Sequence, residues 1–290
     1  MNMKKLLLAA TFISYGTFAF AQTGPAQVKK VVSAEDAFNK LVERKGMKDA
    51  FLSVADPEGI VFKPDAVKIV DFYNNIDKQP GKLSWKPNFA RISSNGDLAF
   101  TAGPYVFSNG KGEDDKVFGD YVSIWRTDAD NKFKLLIDLG IQHPESELET
   151  PTDFKDAEVA TKTAPSKDPF AAKTIIINTD KIFNHSLTLS SLAGYKEFLS
   201  PEAHYYFPGF EPMVGSDVIM KFINNQAITI TAETTDGGRS SSNDLAYTYG
   251  HARITKGNVV SNYNYVRIWE LDKTKKWDIL LEVFAAIENE

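Results

Sequence analysis

Two stretches of the chain repeat one another, and no other feature narrows its possible folds so far. Ser94-Asn95-Gly96-Asp97-Leu98-Ala99-Phe100-Thr101-Ala102-Gly103 matches Ser241-Ser242-Asn243-Asp244-Leu245-Ala246-Tyr247-Thr248-Tyr249-Gly250 at six of ten positions. Further on, Tyr121-Val122-Ser123-Ile124-Trp125, with Phe133 eight residues past the tryptophan and Asp138 five past that, is matched at the same spacing by Tyr265-Val266-Arg267-Ile268-Trp269, Trp277 and Glu282. Upstream, Ala37-Phe38-Asn39 matches Ile182-Phe183-Asn184, and Phe62 and Phe207 each follow the phenylalanine by 24 residues. A run of matches in conserved order means two copies of one structural unit rather than a chance similarity.

We therefore read residues 31–141 and 174–288 as two domains of one kind, consistent with a length of 290 residues. Residues 142–173 between them are rich in Pro, Glu, Asp, Thr and Lys, which is linker chemistry. The N-terminus has Lys4 and Lys5, an apolar stretch from Leu6 to Phe20, and Ala19-Phe20-Ala21 before Gln22. That is the pattern of a secretory signal peptide over residues 1–21, and the stretch is shorter than the roughly 20 apolar residues a membrane span needs. The expected location is periplasmic or secreted, with no membrane anchor left after cleavage. The chain has no cysteine, so disulfides, thiolate zinc sites, thiol nucleophiles and a lipidated N-terminus are all excluded. A formal charge of −5 with both signs interspersed argues against nucleic acid as a partner.

Each copy reads as helices first and strands after. Ala34, Ala37, Phe38, Leu41 and Val42 form a helical stripe, with Ser33 and Asp36 placed as its cap and Gly46 as its stop. Met47, Ala50, Phe51 and Val54, and then Ala66, Ile69, Val70 and Tyr73, suggest two more helices. Four strands follow, over Leu83–Ile92, Leu98–Phe107, Val117–Arg126 and Phe133–Gly140, separated by short Asn/Gly/Asp turns that imply an antiparallel meander. The second copy repeats the order, with helices around Phe183–Leu189, Leu192–Leu199 and from Ser216. The fold class expected is α+β, two tandem domains that each wrap a curved antiparallel sheet around N-terminal helices.

The order of elements, with the segments ADPEGIVFKP, LSWKP, SSNGDLAFTAGPYVF, GDYVSIWR and KFKLLIDLG, resembles the SnoaL-like branch of the nuclear transport factor 2-like superfamily, which includes ketosteroid isomerase-like domains. The resemblance covers nearly all of residues 34–140 and, more weakly, 178–284. It implies a cone of bent sheet closed by helices, with a pocket at the open end that different members use for isomerisation, dehydration, hydrolysis, cyclisation or simple binding. The second copy departs from the pattern: His251 stands where Pro104 would be, and no tryptophan matches Trp85.

Asp138 and Glu282 occupy equivalent places on the last strand of each copy, and simple alternation puts Asp138 on one face with Lys134 and Leu136, and Glu282 with Asp278 and Leu280. Both are candidate acid–base groups if an apolar wall raises their pKa, and solvated or ion-paired carboxylates otherwise. His251 is a third candidate, as a proton shuttle paired with Glu282, or else a surface histidine. Trp85, Tyr105, Tyr121 and Tyr249 are candidate ligand contacts, or else ordinary core aromatics. Metal-binding motifs are missing and the four histidines are dispersed, so no metal and no cofactor is expected. Three readings of function stay open: an exported binder of a small apolar or amphipathic molecule in the N-terminal cone, a cofactor-independent isomerase or hydro-lyase using the carboxylate and histidine groups, or a partner-binding scaffold with plugged cones. In all three the two domains are expected to pack as an intramolecular pseudo-dimer through the outer faces of their sheets.

Overall fold

A computed structural model describes residues 26–77, 80–110, 115–146, 151–157 and 169–287. Residues 1–25, on which the expected signal peptide falls, and much of the expected linker lie outside the described residues. The first half runs α1 (Lys29–Lys45), α2 (Met47–Val54), β1 (Ala55–Phe62), β2 (Ala66–Lys68), α3 (Ile69–Asn75), β3 (Lys82–Trp85), β4 (Phe89–Ile92), β5 (Leu98–Ser108), β6 (Lys116–Thr127) and β7 (Phe133–Gln142). After β8 (Asp153–Lys155), the second half runs α4 (Pro169–Leu189), α5 (Ser191–Phe198), β9 (Leu199–Tyr206), β10 (Met213–Val214), α6 (Ser216–Gln226), β11 (Thr229–Arg239), β12 (Leu245–Lys256), β13 (Val259–Leu271) and β14 (Trp277–Ala286). Both halves are α+β, with helices preceding a sheet.

The helices form where the apolar stripes are. In α1 the buried face is Val31, Glu35, Phe38 and Val42, and Gly46, at φ 83°, ends the helix with its N–H on the Val42 carbonyl. The helix starts at Lys29, so Ser33 and Asp36 lie within it rather than at its cap. Its start is set instead by the preceding arm, whose Val28 N–H donates to Asp156 Oδ1 at 2.8 Å.

Strands β4 to β7 form the expected antiparallel meander, but β1 adds to β7 in parallel and carries β2, so the sheet is mixed. The expected strand over Leu83–Ile92 is two strands separated by Lys86-Pro87-Asn88, and both pair with β5. Gly103 permits this bulge: a Cβ there would sit 2.3 Å from the Lys86 carbonyl oxygen. The linker contributes structure as well, since β8 pairs in parallel with β4 and Phe154 packs on the first core. In the second half the order is β10-β9-β14-β13-β12-β11.

Matching irregularities occur on the last strands. Trp125 pairs with Leu135 while Ile124 pairs with Ile137, and Trp269 pairs with Ile279 while Ile268 pairs with Leu281. Leu136 and Leu280 are therefore extra residues, and each β-bulge reverses the parity of everything after it. Asp138 consequently faces inward with Leu135, not with Leu136, and Glu282 faces inward with Ile279, not with Leu280. The registers also correct one equivalence: Val61 pairs with Asp138 and Tyr205 with Glu282, so Phe62 corresponds to Tyr206 rather than to Phe207.

The apolar interior falls into three clusters. One lies under the helices of each half, and the third draws Phe100, Val122, Ile124, Leu136 and Ile137 of the first sheet together with Tyr206, Val266, Ile268, Leu280 and Leu281 of the second. The turns before β5 and β12 exchange hydrogen bonds reciprocally: Ser94 N–H donates to Asp244 Oδ2, and Ser241 N–H donates to Asp97 Oδ2, both at 2.8 Å. Asp97 and Asp244 are equivalent in the repeat, so this clasp has the form of a twofold contact within one chain.

Candidate functional site

Two carboxyl groups meet inside the first cone, supplied by opposite walls. Glu35 comes from the buried face of α1, and Asp138 from β7, turned inward by the bulge. Glu35 is fully buried and accepts from Trp85 Nε1 at 2.5 Å, Thr101 Oγ1 at 2.5 Å and Trp125 Nε1 at 2.8 Å. Burial still outweighs these three donors and pushes its pKa up to about 7, with the charge of Asp138 adding to the rise. Asp138 accepts one hydrogen bond, from Ser123 Oγ at 2.9 Å, and burial pushes it up to about 6 against the pull of Lys63. No cation pairs with either carboxylate within 4.0 Å among the described residues. Asp138 nevertheless keeps part of its surface accessible, as does Gly140 beside it. A desolvated carboxyl that remains partly accessible is a candidate acid–base group.

The walls suit an apolar molecule with a polar end. Trp85 and Tyr121 line the interior edge to face, with ring centroids 6.1 Å apart. Among the described residues Tyr121's buried hydroxyl has no hydrogen-bond partner, the neighbouring Thr101 hydroxyl being committed to Glu35, and burial holds it well above its ordinary pKa. It is a free donor near both carboxyls. Around the end of the sheet formed by β3 and the distal part of β5, Phe72, Leu83, Tyr105 and Phe107 are only half-buried.

The second cone uses the same positions to opposite effect. Asp180 replaces Glu35, Glu282 replaces Asp138, and Arg267 stands where Ser123 stands. Arg267 donates to Glu282 Oε1, to Asp180 Oδ1 and to Asn184 Oδ1, each at 2.6 Å, and its side chain and both carboxylates are wholly buried. The two carboxylates hold Arg267 well above its ordinary pKa. Tyr195 and Tyr265 complete the network, donating to Glu282 and Asp180 at 2.6 Å each. Registers place Tyr205 at the position of Val61 and Phe284 at that of Gly140, and both are buried core. Larger side chains fill the second cone at three positions where the first has Ser123, Val61 and Gly140.

The candidates therefore separate. The structure brings Asp138, Trp85 and Tyr121 together in the first cone and sets Tyr105, half-buried, on the same inner face. Glu282 is inward-facing too, but is locked in an ion-pair network rather than free to exchange protons. His251 lies on the opposite face of the second sheet from Glu282, exposed, with Nε2 3.2 Å from Asp65 Oδ1, so the expected His251–Glu282 pair does not form. Tyr249 is also on that outer face, edge-on to Phe62 at 6.0 Å, and not in a cone. Glu35 was not among the candidates read from sequence, although a signal existed: it lies three residues before Phe38 and seven before Val42, on the apolar stripe of its helix.

No protein-family profile and no curated protein sequence matches the chain. Solved structures do resemble it, one half at a time. A ketosteroid isomerase-like protein from Erwinia carotovora atroseptica is 14% identical over 40% of this chain and 96% of its own, with a TM-score of 0.36. A nuclear transport factor 2-like protein from Cytophaga hutchinsonii is 13% identical over 39% and 96%, at 0.34, and an epoxide hydrolase-like protein of M. tuberculosis is 14% identical over 41% and 82%, at 0.32. By its own geometry each half of the chain has the helix-closed bent sheet that the sequence resemblance implies, and the solved structures it is similar to include nuclear transport factor 2-like and ketosteroid isomerase-like proteins.

Proposed function

We propose that the chain is an exported tandem of nuclear transport factor 2-like domains whose first cone binds a small apolar or amphipathic molecule and moves a proton on it without a cofactor. Asp138 is the acid–base group, Tyr121 donates to an oxygen of the ligand, and Trp85 and Tyr105 hold its apolar body. Glu35 is a positioning residue that fixes Trp85, Trp125 and Thr101. One observation carries the reading: the equivalent carboxyl pair is neutralised by Arg267 in the second cone and has no cation in the first. A carboxyl pushed to about 6 is ionised at neutral pH yet basic enough to accept a proton and return it. The second cone serves stability.

The test uses 2-tetralone, whose α-hydrogens are acidic, in D2O, with washout of those hydrogens followed by NMR. The full-length exported chain is expected to accelerate exchange, Asp138→Asn to reduce the acceleration by about a hundredfold or more, and Gly140→Phe, which copies the second cone, to abolish binding. A Cβ at Gly140 would meet only ordinary contacts, the nearest being the Tyr105 ring at 3.4 Å. Exchange undiminished in Asp138→Asn would overturn the assignment of Asp138.

A further inference from the structure

A concavity of about 680 Å³ lies in neither cone but between the halves, walled on one side by Ile60 and Leu136 of the first sheet and on the other by Gly238, Tyr247 and Tyr249 of the second. That volume is within the range of small-molecule sites. We propose that this cleft is a second ligand site, distinct from the cone, for an aromatic organic cation of the arylalkyl guanidinium class, with Glu58 as its acid anchor and Tyr247 and Tyr249 as its aromatic walls.

The internal twofold supplies the template. Glu58 of β1 and Glu202 of β9 are equivalent, each following a proline: Ala55 and Leu199 pair with Leu135 and Ile279, and Ile60 and His204 with Ile137 and Leu281. Each glutamate N–H donates to the side chain two residues before it, Asp56 Oδ1 at 2.8 Å and Ser200 Oγ at 3.4 Å. Arg91 and Gly238 are equivalent too, lying opposite Phe100 and Tyr247. On one side of the twofold Arg91 crosses from the first half to Glu202 of the second at 3.5 Å, with its guanidinium 4.7 Å from the centre of the Phe89 ring. Phe89 in turn stacks on His204 at 3.7 Å. On the other side the acid is kept, as Glu58, but Gly238 sends no cation across to it, and Asp236 and Ile60 stand where Phe89 and His204 stack. The cleft is what these exchanges leave open.

Glu58 is reachable and only partly served. Arg126 from its own half donates Nε and Nη2 to Asp56 at 2.7 and 2.6 Å and shares Nη2 with Glu58 Oε2 at 2.7 Å. One guanidinium serving two carboxylates leaves that trio with a net negative charge, and Glu58 Oε1 accepts no hydrogen bond among the described residues. The Glu58 side chain is 67% exposed, so a ligand in the cleft can touch it. Asp236 pairs with Lys173 across the same space, and Lys68 stands exposed at the rim beside Ile60. Tyr247 lies over Gly238, where a Cβ would come within 2.7 Å of its ring, and it feels the charges of both Glu58 and Asp236, so the rings and the acids border one volume. A guanidinium seated on a tyrosine ring beside a carboxylate would repeat, in ligand form, the arrangement of Arg91 with Phe89 and Glu202.

The probe is benzylguanidine, which joins a phenyl ring to a guanidinium through one methylene, titrated into the isotope-labelled full chain and followed by amide NMR. Benzylurea is its uncharged counterpart and phenylacetate the anionic one. Shifts are expected at Gly237, Gly238 and Ser241 of the cleft and not at Gly140 of the cone. Affinity is expected to fall about tenfold or more for benzylurea and about threefold or more in Glu58→Gln, the smaller figure reflecting an exposed anchor. Because Glu58 is exposed and Arg126 keeps Asp56, Glu58→Gln leaves the fold intact, as circular dichroism will verify. Shifts centred on Gly140, equal binding of benzylguanidine and benzylurea, tighter binding of phenylacetate, undiminished binding in Glu58→Gln, or no shift at millimolar probe overturns the proposal. Failure of the tetralone exchange would leave this result untouched, because the two sites share no side chain.

Discussion

Replacing Asp138 by asparagine should make the protein more stable, and by an amount that grows with pH. In the unfolded chain an aspartate titrates near 3.8, whereas in the cone burial lifts it to about 6. The sign follows from the proton count. Between those values the folded state binds the proton more tightly than the unfolded one, so stability falls as pH rises through this interval and the full penalty is present above pH 6. At roughly 1.4 kcal/mol per pKa unit, the shift corresponds to about 3 kcal/mol at pH 8 and about 1.5 kcal/mol at pH 5. Residual access to water makes about 2 kcal/mol at pH 8 the sounder expectation. Asparagine is nearly the same shape, can keep the hydrogen bond from Ser123 through its carbonyl oxygen, and has no charge to desolvate. Urea unfolding of wild type and Asp138→Asn at pH 5 and pH 8 gives the difference directly, provided the m-values agree. A variant less stable than wild type at both pH values, by the same amount, would refute the reasoning, because it would mean that the carboxylate is satisfied in its site rather than strained there.

Other substitutions probe the rest of the design. Arg267→Met should cost about 3–5 kcal/mol, since it leaves Asp180 and Glu282 buried without their cation, and adding Asp180→Asn and Glu282→Gln should recover much of the loss in thermal melts. Asp97→Ala and Asp244→Ala should each cost about 1–3 kcal/mol by orphaning a backbone N–H across the clasp; a large effect from one and none from the other would contradict its reciprocity. His204, lowered to about 4 by burial against Phe89, is neutral in the fold, so its contribution is fully present above about pH 6.5 and is lost as pH falls towards 4. By pH 5 that loss is about 2 kcal/mol, and His204→Phe, which keeps the stack, should flatten this part of the acid limb in pH-dependent unfolding.

The fold was legible from the repeat because repeated residues mark positions that geometry will not release. Asp97 and Asp244 are held by the clasp, Gly103 and Gly250 by a backbone that passes within 2.3 and 2.0 Å of where a Cβ would be, and Trp125 and Trp269 by the cores they fill. None of these does chemistry, and so the strongest sequence signal spoke of architecture and not of the site. The site was only half legible. Strict alternation misassigned the neighbours of Asp138 and Glu282, since a bulge cannot be counted through. The cue was the run of three consecutive apolar residues, Leu135-Leu136-Ile137 and Ile279-Leu280-Leu281, at the same place in both copies. The His251–Glu282 pairing failed for a different reason: β13 lies between their two strands, and the two side chains face opposite sides of the sheet. Parallel strand β1 was missed because Asp56-Pro57-Glu58-Gly59 reads as a turn, and only the docking of Ile60 and Val61 on β7 makes it a strand.

A covalent tandem frees its two halves from a constraint that a symmetric dimer cannot escape. In a homodimer each change in a cone is made twice, so a cone opened for a ligand is opened in both subunits, with two uncompensated carboxyl pairs and two cavities lowering stability together. Here the corresponding positions differ within one chain: Ser123 against Arg267, Val61 against Tyr205, Gly140 against Phe284. The second cone is filled and its carboxylates are paired, and the third apolar cluster joins its sheet to the first, so the destabilising features of the first cone are borne by a structure that folds around both. The same freedom acts at the twofold, where Phe89 and Arg91 close one side and Asp236 and Gly238 leave the other open. Selection for chemistry in one half is then compatible with marginal overall stability, and the expectation follows that introducing the Arg267 arrangement into the first cone, as Ser123→Arg, would raise stability only if Glu35 and Asp138 can both reach the guanidinium, at the expense of every function assigned to that cone.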